Sequence, residues 1–157
     1  MKIVLLVVGR TDTGYWNDAL IDYTERLKRY IPFEVSVIRD VKKDKNRSEA
    51  QQKELEGLSI IKSLQAGDYC VLLDERGKAY TSKQFALFLD AKIQLSPKRL
   101  VFVIGGAYGF SDAVLARSSE LLSLSRMTFS HQMVRPIFVE QLYRAMTILR
   151  GEPYHHD

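Results

Sequence analysis

Residues 101–109, VFVIGGAYG, pass from a run of β-branched and aromatic side chains into paired glycines and then a third. A strand buried on both faces must be apolar at every position, so an unbroken apolar run that dissolves into glycine reads as a central strand of a parallel α/β sheet. Glycine lets the chain turn away there and leaves backbone N–H groups open to close approach, which is how such sheets present main chain to a ligand. Taken alone, the same residues also suit a tight strand-to-helix turn with no ligand, and the flanking chain has to separate the two readings.

Towards the N-terminus, apolar runs and helical periods alternate. Residues 2–8 are a near-continuous apolar strand, and residues 15–30 switch to a helical period with Trp16, Leu20, Tyr23 and Leu27 on one stripe. Between them GRTDTG, residues 9–14, has the glycine spacing of a nucleotide-hydrolase phosphate loop. Tyr15 and Trp16 stand where lysine and a hydroxyl residue are required, which excludes it. After Pro32, Phe33, Val35 and Val37 alternate with Glu34 and Ser36, as in a strand near a sheet edge with one wet face. DVKKDKNR, residues 40–47, carries Lys42, Lys43, Lys45 and Arg47 and reads as a mobile loop, either a solvated connector or an RNA-touching arm. Asn46 with Glu49 has capping-box spacing for a helix through Leu55, Leu58, Ile61 and Leu64 that Gly67 ends.

Residues 69–73 form a third buried strand that stops at Asp74, with DERG, residues 74–77, as a turn. Thr81 with Gln84 caps a helix bearing Phe85, Phe88 and Leu89, which Pro97 ends, and Ser111 caps another containing Val114 and Leu115. Residues 121–125, LLSLS, are a short fifth strand. The following RMTFSHQMVR is rich in hydroxyls and free of glycine, the mark of a loop that is held in place. A last helix runs over residues 135–150, with Pro136 at its first position, Gly151 at its C-terminal cap and Pro153 preventing continuation. Phe138, Leu142, Ala145, Met146 and Leu149 form its buried stripe, and Glu140 with Arg144, four apart, reads as a surface ion pair.

At 157 residues without repeat, linker or low-complexity tract, the chain is the size of one domain spanning residues 1–157. A formal charge of +4 favours an anionic partner, nucleic acid first, although a small basic domain can be basic for solubility alone. The single cysteine, Cys70, lies in the apolar run YCVLL, which excludes an internal disulfide or cysteine zinc cluster and suits a reducing cytoplasm. No run reaches membrane-spanning length, and the apolar N-terminus is too short for a signal peptide, so a soluble protein is expected.

FVIGGAYGF, SLSRMTFSHQMVR and EQLYRAMTILRGEPYHH, in that order, closely resemble the ribosomal RNA large subunit methyltransferase H family of the SPOUT superfamily. The resemblance covers the whole chain and is most specific over residues 101–156. The family tends to carry further basic residues after the first strand, where this chain keeps Arg10 and then has Asp12. The resemblance implies a Rossmann-like α/β fold, a parallel sheet of five or six strands with helices on both faces. Its C-terminal part would be tied in a trefoil knot, which topology rules alone would not have predicted. It implies S-adenosylmethionine as donor and no metal, with Leu73, Gly105, Gly106, Leu124, Ser125, Arg126, Met127, Thr128 and Phe129 in contact with it. It implies methylation of N3 of a pseudouridine in 23S ribosomal RNA on the assembled ribosome, by a cytoplasmic homodimer whose sites borrow groups from the partner subunit.

Within that implied reaction, His155, His131 and Glu140 are candidate acceptors for the N3 proton. Arg144 is placed to steady a phosphate or base carbonyl, and Tyr154 to stack on the target base. Two other classes compete. A non-catalytic RNA- or nucleotide-binding module on the same fold would bind ribosomes but no donor. A hydrolase using the histidines lacks a nucleophile elbow, and the three histidines lack metal-ligand spacing.

Overall fold

In a computed structural model describing residues 1–42 and 44–157, five strands and five helices alternate along the chain. They are β1 (Lys2–Val8), α1 (Tyr15–Lys28), β2 (Phe33–Ile38), α2 (Glu49–Ser63), β3 (Tyr69–Ala79), α3 (Ser82–Leu95), β4 (Arg99–Ile104), α4 (Asp112–Arg117), β5 (Glu120–Ser123) and α5 (Val134–Leu149). Every strand pair is parallel, in the order β2-β1-β4-β3-β5. The expected parallel sheet with helices on both faces is what the chain forms.

Side-chain parity divides the core. Ile3, Leu5 and Val7 of β1 and Leu100, Phe102 and Ile104 of β4 face α1, α3 and α5, whose Leu27, Leu89, Phe138 and Leu142 are fully buried. Val4, Leu6, Val8, Val101 and Val103 point the other way, against Ile60 of α2 and Val114 of α4. Apolar residues at both parities are what put β1 and β4 in the sheet centre. β2 has a single strand neighbour, as its alternation predicted, but the apolar side of that alternation is not wholly covered: Val37, in phase with buried Phe33, is 48% exposed. Cys70 is fully buried.

Three local expectations change. α2 is capped by Ser48 and Gln51 rather than Asn46 and Glu49, and its last residue is Ser63, ahead of Gly67. Its buried stripe is Gln52, Glu56, Gly57 and Ile60, while Leu58 is 62% exposed, so this helix turns a partly polar face inward. DERG is not a turn that ends β3. The strand continues to Ala79, and Leu122 of β5 is opposite Leu73 before the irregularity and Lys78 after it. Asp74 stabilises this bulge by accepting from the Arg76 backbone at 2.8 Å and its guanidinium at 2.8 and 2.9 Å. Gly77 is needed there, since a Cβ would lie 2.5 Å from Leu122 N and 2.6 Å from Leu121 C, both backbone atoms of β5. α5 starts at Val134, so Pro136 sits inside the first turn rather than at its first residue, where it still displaces no helical donor. The Thr81–Gln84 capping box and the Ser111 cap form as read.

Candidate active site

The C-terminal ends of β4, β3 and β5 are neighbours, so the loops leaving them come together at one rim of the sheet, where open α/β sheets bind ligands. They enclose a cleft of about 940 Å³. Leu73, Gly105, Gly106, Leu124, Ser125, Met127, Thr128 and Phe129 all line it. Arg126, an exposed residue, does not. His131 and Val134 close the side where α5 begins.

The loop after β5 is held, as its composition predicted. Ser123 Oγ donates to Ser125 O at 3.0 Å, Met127 N donates to Ser125 Oγ at 3.0 Å, and Thr128 Oγ1 to Glu75 Oε2 at 3.3 Å. That last bond ties the loop to the β3 bulge across the cleft mouth. The two glycines are gripped from behind. A Cβ on Gly105 would press on the Phe110 ring at 3.0 Å, and one on Gly106 would meet Glu56. The lining mixes apolar side chains and glycine main chain with polar groups, and Lys53, Asp74, Glu75, Arg76 and Asp112 bring charge of both signs to it.

The remaining candidates gather in a second place. Arg150 is the C-cap of α5 and Gly151 follows at φ 68°, with Gly151 N donating to Ile148 O at 3.0 Å and Glu152 N to Thr147 O at 2.9 Å. This is a Schellman closure, and it folds the tail back over α5. Glu140 Oε1 then accepts from Arg144 and, at 3.0 Å, from the Tyr154 hydroxyl, which lies 3.1 Å from Tyr23 Oη. The Arg144 guanidinium stands 4.8 Å from the Tyr154 ring centroid, and its NH1 is 3.2 Å from His155 Nδ1. The Glu140–Arg144 pair is therefore no open surface bridge. Its side chains are only 17% and 24% exposed, and the contact with Glu140 raises the Arg144 pKa. Burial, followed by the bonds to Tyr23 and Glu140, drives the Tyr154 hydroxyl above the usual phenol range. None of Glu140, Arg144, Tyr154 and His155 lines the cleft. Among the described residues, no three His, Cys, Asp or Glu side chains converge as a metal-binding group.

Two structurally decisive residues went unread in the sequence. Arg135 is completely buried and, among the described residues, has no carboxylate partner. It donates to Val8 O at 2.7 Å, Gly9 O at 2.9 Å, Thr11 Oγ1 at 3.1 Å and His131 O at 3.0 Å. Burial lowers its pKa. Glu56, 6% exposed, is the other. Burial pushes its carboxyl above the ordinary range and the charge of Asp40 adds to this, against the opposing pulls of Gln52 and His131. A carboxyl whose folded pKa exceeds its unfolded one costs stability as pH rises above the unfolded value, about 4.3, and costs nothing below it. Glu56→Gln is therefore expected to raise the melting temperature at pH 7, with the gain shrinking towards zero below about pH 4. A variant no more stable than wild type at pH 7 would show that the carboxylate is solvated after all.

The class of protein to which this sheet, rim and loop belong is the SPOUT methyltransferases. Residues 1–155 match the family described as "Predicted SPOUT methyltransferase", and the chain belongs to it. A protein of Parabacteroides distasonis named "Ribosomal RNA large subunit methyltransferase H" is 62% identical over 157 residues, covering all of both chains. Proteins of the same name from Bacteroides thetaiotaomicron and Christiangramia forsetii are 55% identical over the full length of both chains and 50% identical over 99% of each. No helix among the described residues is long and apolar enough to cross a membrane.

Proposed function

We propose that the chain methylates N3 of a pseudouridine in 23S ribosomal RNA, using S-adenosylmethionine and acting on the assembled ribosome in the cytoplasm. The observation that carries this reading is the cleft itself. Three segments far apart in sequence, all anticipated from the family motifs, meet at one rim with glycine main chain between them. Leu73, Gly105, Gly106 and the loop after β5 would hold the donor. The trefoil threading implied by the motifs belongs to the same proposal, supported by Val134 at the start of α5 lining the cleft beside that loop.

The donor supplies a methyl group already activated by its sulfonium. The chain has to hold the target base in line and let N3 lose a proton. Alignment of this kind contributes on the order of 7–11 kcal/mol. The three candidate proton acceptors differ in how they are engaged. Glu140 is occupied at both oxygens, Oε1 by Arg144 and Tyr154 and Oε2 by Gln141 at 2.7 Å. His155 turns Nδ1 towards Arg144, a permanent donor, which commits that lone pair. His131 lines the cleft, and among the described residues its one hydrogen bond is the one its backbone oxygen accepts from Arg135. The geometry therefore favours His131 as acceptor, with Glu140 orienting Arg144 and Tyr154 towards the RNA. Because the tail cluster lies outside its own cleft, a homodimer in which one copy's tail completes the other's cleft accounts for both halves of the site.

The test is methyl transfer to 70S ribosomes, isolated 50S subunits and free rRNA, with calorimetry for the donor. Donor binding and preference for the assembled ribosome are expected. A ribosome-binding protein that ignores the donor, or one that prefers naked rRNA, would overturn the corresponding part.

A further inference from the structure

Gly106 has no left-handed backbone angle, so its φ does not demand glycine. Glu56 does. A Cβ at position 106 would meet three atoms of one carboxyl before any other, 2.8 Å from Glu56 Oε1, 2.9 Å from Cδ and closer still to Oε2. Oε2 is buried without a hydrogen-bond partner among the described residues. A buried oxygen with no donor is a cost to folding that an apolar side chain here would avoid, so the carboxyl is not there for stability. Its other oxygen leads outward. Gln52 Nε2 donates to Glu56 Oε1 and to Val41 O, both at 3.3 Å. Arg47 NH1 bridges Gln52 Oε1 at 3.0 Å and Lys42 O at 2.8 Å. A polar chain thus runs from the basic loop, along the inward face of α2, to the back of the glycine turn whose front lines the cleft. The Phe110 ring supports the same turn at Gly105.

We propose that Glu56 is a positioning residue for methyl transfer: its carboxyl, seated in the space of an absent Gly106 side chain and tied through Gln52 and Arg47 to the loop at 40–47, sets the glycine turn that walls the donor cleft. The proposal rests on reading that cleft as the donor site. Glu56 touches no reacting atom; it acts through the main chain of Gly105 and Gly106. It also gives the inward polar stripe of α2 a purpose that core packing does not.

The fit between Glu56 and Gly106 makes this testable by reciprocal substitution in the full-length protein. Gly106→Ala should weaken S-adenosylmethionine binding, measured by calorimetry, by about tenfold or more, because the turn must move to clear the carboxyl. Glu56→Ala should weaken it by roughly tenfold through loss of the support. The double variant should bind better than Gly106→Ala, since the new methyl then has room, a non-additivity expected only of groups that share one space. Glu56→Ala should also lower kcat more than it changes the rRNA KM, and Glu56→Gln, which keeps the shape, should recover most of both losses. Purely additive losses with a donor-binding wild type would overturn the positioning role alone. A wild type that binds no donor would overturn the function reading and this inference together. Should Gly106→Ala fail to fold, the Ala and Gln variants at 56 still decide: unchanged donor affinity in Glu56→Ala sinks the proposal.

Discussion

Arg135→Ala is expected to lower the unfolding free energy by about 3–5 kcal/mol, the range for removing one member of a buried charged hydrogen-bond cluster. The side chain is wholly buried, and its four acceptors come from both sides of a long sequence gap: Val8, Gly9 and Thr11 at the end of β1, and His131 in the loop before α5. Alanine would strand these oxygens without a donor and leave a void where the guanidinium lay. Asp12 N donating to Gln132 Oε1 at 2.8 Å and Gln132 Nε2 to Arg10 O at 3.2 Å would then carry the junction alone. Lysine is no substitute, because one ammonium cannot span the positions a planar guanidinium reaches. A urea or thermal melt should show Arg135→Ala losing roughly 10 °C, and Arg135→Lys more than half as much. A melting temperature within about 2 °C of wild type for Arg135→Ala would mean that water replaces the guanidinium at no net cost.

Arg144→Ala should reduce the rate of methyl transfer by about a hundredfold, the scale of losing one charged donor aimed at a reacting group. Donor affinity should change by less than about threefold, because Arg144 does not line the cleft of its own chain. The guanidinium is pre-set by Glu140, by the Tyr154 ring and by His155, so little ordering is needed when RNA arrives. Glu140→Gln tests the same arrangement from the other side. It keeps the shape but weakens the charge-assisted bond, and is expected to lower the rate by a smaller factor, roughly tenfold. Single-turnover transfer on ribosomes, alongside calorimetry for the donor, separates the two quantities. Equal losses in rate and donor affinity would make Arg144 a structural residue that holds the fold of the tail.

Most of the cleft was readable in the chain, because its features are local. An apolar run ending in Gly105 and Gly106, a glycine-free hydroxyl loop and a proline-started, glycine-closed helix each announce themselves over fewer than twenty residues. The misread elements were those in which two local signals overlap. Asn46–Glu49 and Ser48–Gln51 are both possible capping boxes. Asn46 N is instead taken by Asp44 Oδ1 at 3.0 Å, and Ser48 opens the helix. Asp74 to Gly77 has the composition of a turn, and only pairing with β5 on both sides keeps it within the strand. Lys43, one of the four basic residues of the polar loop, lies outside the described residues.

The amino-acid order by itself determined the alternation of strands and helices, the two-faced burial of β1 and β4, the glycine turn and the capped final helix. All of these follow from side-chain period and from the backbone preferences of glycine and proline, which act within a few residues. Tertiary structure decided which charges are buried. Arg135 is written as a basic residue before a proline, Glu56 as one acid in a charged helix, and Glu140 with Arg144 as an ordinary surface pair. Each became something else only when the main chain of β1, the glycine turn and the returning tail closed around it, since the cost of burying a charge depends on partners that lie far away in sequence.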